Sequence, residues 1–275
     1  MENDWLYEFQ KYIKKLSLLI ICILIIILIG KTMVIKATYY GANGWLVDLD
    51  ETRILIDPWL KGDLTFPPGD WLIKGELDRE IEVPIDIDFL LLTQGQADHA
   101  HLPTLEKINK GIPVIASQAA SNVVKQIGFT KIHTLKPGEI FINNNLKIQA
   151  TSGASVPNIE NGYIIDLGLD SIYIEPHGFL DKKIKPRNID LVITPVIDFS
   201  LPLVGKFIKG KTVLPQLLKL FNPTTILAST TGGDITFTGI INNLIKVDGS
   251  VDDISLFKDT NTKLINPLPL TVYEI

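Results

Sequence analysis

The stretch Leu90-Leu91-Leu92-Thr93-Gln94-Gly95-Gln96-Ala97-Asp98-His99-Ala100-His101 constrains this chain more than any other. Phe89 to Leu92 is an apolar run that stops abruptly at polar residues, the pattern of a buried strand that delivers a loop. Asp98, His99 and His101 then fall within four positions of that loop. Carboxylate and imidazole together ligate divalent metals or exchange protons. The chain has four histidines in 275 residues, and two of them are here.

Hydrophobic residues make up 46% of the chain, enough for a substantial core. A net charge of -5 argues against a general nucleic-acid surface. The lone cysteine, Cys22, excludes an intrachain disulfide and argues against thiolate catalysis. It lies in an apolar run, Leu16 to Ile29, that is broken only by Ser17 and flanked by Lys11, Lys14, Lys15 and Lys31. A spanning helix needs about 20 apolar residues, so this run is short, but flanking lysines snorkel. The composition predicts a membrane-anchor helix within residues 1–32, hence membrane localisation, and one domain over residues 33–275. A cleaved secretory signal and a buried helix are the rivals. No small-x-small site follows the run, and nearly every side of such a helix is apolar.

After the anchor, strands are expected over Met33 to Tyr40, Trp45 to Leu49 and Arg53 to Pro58. Leu60 to Asp86 carries Pro67, Pro68, Gly69, Gly75 and Pro84 without periodicity and reads as a long loop. Helices are expected over Leu102 to Lys110 and Ser117 to Gln126, around a strand at Ile112 to Ala116. Strand signals return up to Glu175. There Glu175-Pro176-His177-Gly178 places a carboxylate and a third histidine beyond a strand end. Leu191 to Val196 and Thr225 to Ala228 read as strands, and Lys211 to Phe221 and Phe237 to Ile245 as helices. His133 reads as an ordinary surface or packing residue.

Thr93 to His99 resembles the metal-binding loop of the metallo-β-lactamase fold, Thr-His-x-His-x-Asp-His after a strand. The strand, Asn43-Gly44 turn, strand and Asp57-Pro58-Trp59 order resembles its ascorbate-6-phosphate-lactonase-like branch. The resemblance implies an α+β fold, an αβ/βα four-layer sandwich, here with the N-terminal anchor helix added. It also implies that Asp98 and His99 help to hold a metal. Gln94 and Gln96 replace the first two histidines, and amide oxygens are weak ligands. Ala154 and Ser229-Thr230 stand where the family places further histidines, and Glu175-Pro176-His177-Gly178 stands in place of Gly-Asp-Thr-Gly.

Two readings follow. In the first, Asp98, His99, His101, Glu175 and His177 converge on one divalent ion, and Asp98 or Glu175 serves as catalytic base. The ion would be zinc, manganese or iron, and the reaction hydrolysis of an ester, lactone or phosphoester small molecule. In the second, the chain is a metal-free binding or scaffold module whose histidines are held by hydrogen bonds.

Overall fold

The computed structural model describes residues 9, 11–17, 34–154, 160–230, 232–253, 257 and 260–275. The chain divides into two units, Met1–Val34 and Ile35–Ile275. In the first, residues 11–17 are helical. The expected anchor run, Leu16 to Ile29, lies almost wholly outside the described residues. Among the described residues no helix is long and apolar enough to cross a membrane.

The second unit is built on two seven-stranded sheets. In the first sheet Ile35–Gly41, Gly44–Leu49 and Thr52–Ile56 form an antiparallel meander. Phe89–Leu92, Val114–Ala116 and Ile132–Thr134 continue it in parallel, and Val272–Glu274 closes the other edge. In the second sheet Ile140–Asn143, Leu146–Ser152, Asn161–Leu167 and Asp170–Ile174 are antiparallel. Leu191–Thr194, Thr225–Ala228 and Lys263–Ile265 then run parallel.

Burial explains the layering. Every residue of Phe89–Leu92, Leu191–Thr194 and Thr225–Ala228 is buried, so both faces of these strands are covered. On the first sheet the helices Leu102–Lys107 and Gln118–Gln126 press Leu105, Ala120 and Val124 onto Leu46, Leu55, Leu90 and Leu92. On the second, the helix Gly210–Phe221 presses Leu214, Leu217 and Phe221 onto Tyr173, Val192 and Ile226. The alternate residues, among them Trp45, Ile54, Leu91, Ile165, Ile172 and Leu227, are fully buried between the sheets. Polar bonds tie the two sheets together there. Trp45 Nε1 donates to Ser229 Oγ at 3.0 Å, and the Tyr163 hydroxyl donates to the Leu92 carbonyl at 3.1 Å. The result is the expected helix–sheet–sheet–helix sandwich.

Two segments depart from expectation. The stretch read as a long loop contains the strands Leu64–Thr65 and Lys74–Leu77, and the latter pairs with Ile235–Thr238. The stretch read as a final helix therefore begins as a strand. Its helix is confined to Ile240–Leu244, beyond Gly239 at φ 104°. Strands of two to four residues lack the length to show a period, and the second partner of Lys74–Leu77 lies about 160 positions away. A further small sheet joins Asp198–Leu201, Gly205–Lys209 and Lys246–Asp248. Trp59, just before the first of these segments, is buried, with Nε1 donating to the Gly62 carbonyl, whereas Trp71 within it is exposed.

The helix-to-sheet contact carries much of the stability. Phe221→Ala should lower unfolding free energy by about 3–5 kcal/mol in urea melts, through lost transfer energy and a cavity. Trp71→Ala should change it by less than about 0.5 kcal/mol.

Candidate metal centre

The centre begins at Asp57. Ile54, Leu55 and Ile56 are fully buried, so their strand cannot slip without exposing them, and its end delivers Asp57 at φ 40°. Asp57 is 1% exposed. Its Oδ1 accepts the Thr93 backbone N–H at 2.8 Å. Its Oδ2 accepts the Thr93 hydroxyl and, at 2.8 Å, His99 Nδ1. Burial pushes the Asp57 carboxyl up, and His99 and Thr93 partly offset this by favouring the ionised form.

With Nδ1 committed to Asp57, His99 turns Nε2 towards Asp98 Oδ2 and the Asn43 amide, each at 3.3 Å. The ring is fully buried. Burial disfavours the imidazolium, but Asp98 and Asp57 outweigh it and hold the His99 pKa well above its ordinary value. Asp98 shows the reciprocal effect. Burial raises its pKa, yet His99 and then His177 keep it below the usual carboxylate value. Asp98 Oδ1 is closed off from solvent and has no hydrogen-bond partner among the described residues.

The opposite wall comes from the second sheet. Tyr163 pairs with Ile174, which sets Gly162 against Glu175. A Cβ on Gly162 would stand 3.0 Å from Glu175 Cγ and 2.7 Å from Thr151 Oγ1, so the close approach requires glycine. Glu175 is fully buried, and its Oε2 accepts the backbone N–H groups of His177 at 3.2 Å and Phe179 at 2.6 Å. Gly178, at φ 72°, turns the chain against Gly210, leaving no room for a side chain. This turn places His177, whose Nδ1 meets Glu160 Oε1 at 2.7 Å. Burial and the neighbouring Glu160 carboxylate hold Glu175 well above its ordinary pKa.

The His99 and His177 rings come within 5.2 Å, centroid to centroid. Among the described residues two overlapping groups bring ligand atoms within 4.8 Å of one another: Asp98, His99 and His177, and Glu160, Glu175 and His177. Three of the five residues expected as ligands thus meet directly, and Glu175 reaches the cluster through the second group.

His101 stands apart from both groups, contrary to the sequence reading. It occupies the N-cap position of the helix Leu102–Lys107 without a side-chain capping bond, and its ring folds back so that Nδ1 meets Thr104 Oγ1 and Nε2 meets the Asp63 carbonyl, each at 3.1 Å. Burial lowers its pKa, as befits a neutral ring wedged near Trp59. His133 lies outside the cluster, on an edge strand against Phe141. Gln96 lines the same cavity as Asp98 and His177, while Gln94 is buried with Oε1 unpartnered among the described residues. Glu160 was not anticipated from the sequence. Its one signal is a carboxylate at the foot of a strand whose neighbour ends in Glu175.

The cluster opens into a cavity of about 620 Å³. Asn43, Gln96, Asp98, His177 and Thr230 form its polar end.

Comparison with known proteins agrees with this architecture. A family model described as a beta-lactamase superfamily domain matches residues 36–229. A UPF0173 metal-dependent hydrolase of Cereibacter sphaeroides is 25% identical over 141 residues, covering 47% of this chain and 57% of the relative. The match thus spans little more than half of that relative's length. The metallo-beta-lactamase fold protein YhfI from Bacillus subtilis superposes with a TM-score of 0.59 at 13% identity, covering 89% of this chain and 100% of that one. Igni18, a metallo hydrolase from Ignicoccus hospitalis, gives 0.58 at 14% identity, covering 88% and 98%.

The Glu175 environment has a pH signature. Its folded pKa is raised, so the group favours folding fully below the unfolded carboxyl value near 4.3, and this contribution is lost as pH rises through the folded pKa. In chelator, Glu175→Gln should therefore raise the thermal midpoint more at pH 8 than at pH 5. An equal shift at both would contradict the assignment.

Proposed function

The chain belongs to the beta-lactamase superfamily, and on that premise we propose that it is a metal-dependent hydrolase whose single-metal centre is held by Asp98, His99 and His177. The observation that carries this reading is the convergence of those three ligand groups at the polar end of the cavity. Each imidazole is oriented by a buried carboxylate, Asp57 behind His99 and Glu160 behind His177. Metal-ligating histidines are held in this way, which fixes the tautomer and raises ligand basicity.

The residues present fit a divalent ion. Asp98 Oδ1 is a buried lone-pair donor without a protein partner among the described residues, and two carboxylates already call for positive charge at His99. Oxygen and nitrogen donors together suit zinc, manganese or iron. Bound there, such an ion supplies Lewis acidity and lowers the pKa of a bound water towards neutrality.

The protein's own groups divide the remaining work. Asp98 lines the cavity and stays ionised, which equips it to take the proton of an attacking water. Glu175 does not line the cavity, and its Oε2 is occupied by two backbone N–H groups. We assign it a positioning role, holding the turn that carries His177, in place of the catalytic role read from the sequence. Asn43 and Thr230 offer polar contacts to a substrate at the cavity's polar end. An ester, lactone or phosphoester is the substrate class in view, as the likeness to the ascorbate-6-phosphate-lactonase-like branch implies.

Gln94 and Gln96 favour the second reading, a metal-free binding module, because they leave the family's other metal position without strong donors. Metal content separates the two. Purified protein should carry about one divalent ion per chain. His99→Ala and His177→Ala should each weaken binding by more than about tenfold, whereas His101→Ala and His133→Ala should leave it unchanged. Protein that takes up no metal when supplied with zinc, manganese or iron would support the module.

We also propose that the run Leu16 to Ile29 tethers the domain to a membrane, on the strength of its composition and flanking lysines. Removing residues 1–31 should release folded protein from carbonate-washed membranes. Retention of the truncated protein on the membrane would place the anchor elsewhere.

A further inference from the structure

The cavity beside the metal centre has a feature that hydrolysis alone does not explain. Its polar side chains gather at one end. Away from Asn43, Gln96, Asp98, His177 and Thr230, its walls are apolar except for Asn242, whose amide donates to the Phe237 carbonyl at 3.0 Å, with Phe66, Phe199, Phe207, Phe237, Ile241 and Val247 prominent. Among the described residues that line it, Asp98 is the one carboxylate and none is lysine or arginine. These walls come from the two small sheets and the helix Ile240–Leu244, elements outside the main sandwich.

The apolar surface does not stop at the mouth. Val247 lines the cavity and is 59% exposed. Ile240 and Leu244, in the same short helix as Ile241, are 54% and 47% exposed. Leu203 and Val204, in the turn after Leu201 of the wall hairpin, are also exposed. Single exposed apolar residues need no explanation, but a set bordering an apolar cavity marks a binding site.

We propose that this cavity holds the hydrocarbon chain of an amphiphilic substrate, whose hydrolysable head lies at Asp98 and His177. This deepens the hydrolase reading and rests on it for the head group alone. The volume, about 620 Å³, lies within the range of small-molecule sites. A substrate charged along its length would lose hydration against these walls without finding partners. A substrate with one polar end and one apolar chain satisfies both ends of the cavity.

The test separates chain binding from catalysis. Straight-chain alkanols from butanol to decanol are titrated into the full-length protein in the presence of chelator. The dissociation constant should fall roughly fourfold per added methylene until the cavity is filled. Ile241→Trp and Leu201→Trp each narrow the cavity away from the metal centre, and should weaken decanol binding at least about tenfold while leaving metal content unchanged. In either variant that folds, unchanged decanol affinity overturns the proposal, as does an affinity independent of chain length in the parent. With nitrophenyl esters and metal restored, kcat/KM should rise with acyl length. Chain-dependent alkanol binding without cleavage of acyl esters, lactones or phosphoesters of any chain length would uphold the chain site and defeat the hydrolase reading instead.

Discussion

A single buried carboxylate sets the geometry on which the centre depends. Asp57 sits at a strand end with 1% exposure and receives the Thr93 amide, the Thr93 hydroxyl and His99 Nδ1. A carboxylate so placed is tolerable only while its donors stay in position, because an unpaired buried charge is strongly destabilising. The bond to Thr93 fixes where the Phe89–Leu92 strand turns into its loop. The bond to His99 decides which ring nitrogen faces Asp98 and Asn43. Asp57 thus converts the packing of two parallel strands into the orientation of an imidazole.

The second sheet solves the same problem differently. Glu160 orients His177, while Glu175 holds the turn that presents it. Two carboxylates this close in a dry environment do not both stay ionised readily, and the raised pKa of Glu175 reflects that. The two sheets therefore contribute one carboxylate-backed histidine each, and Asp98 and His177 are the members of the cluster that reach the cavity. Charge explains the arrangement. Acidic groups outnumber what the two rings neutralise, so the cluster favours a bound cation, whether proton or metal.

Much of the sandwich was legible because its central strands are uninterrupted apolar runs. Phe89–Leu92, Leu191–Thr194 and Thr225–Ala228 are buried on both faces, and such runs have few other uses in a domain of this size. The small sheets were not legible. Leu64–Thr65 and Lys74–Leu77 are too short to show a period, and Ile235–Thr238, the distant partner of Lys74–Leu77, precedes an apolar segment with helical character. At the centre, Asp98, His99 and His177 could be read because imidazoles are scarce in this chain. Glu160 could not, since its closeness to His177 follows from an antiparallel register and not from sequence spacing. His101 misled for a local reason. It lies two residues from His99, but its cap position turns the ring towards Thr104 and the Asp63 carbonyl.

Anomalous diffraction from metal-soaked crystals, collected on both sides of the absorption edge, shows whether Asp98, His99 and His177 form one metal-holding unit. One strong anomalous peak is expected, bonded to His99, His177 and the Asp98 carboxylate, with Glu160 and Asp57 still bonded to the far nitrogens of the two rings. No peak at this cluster, or a peak held by Glu160 and Glu175 with His99 unbound, would contradict that arrangement.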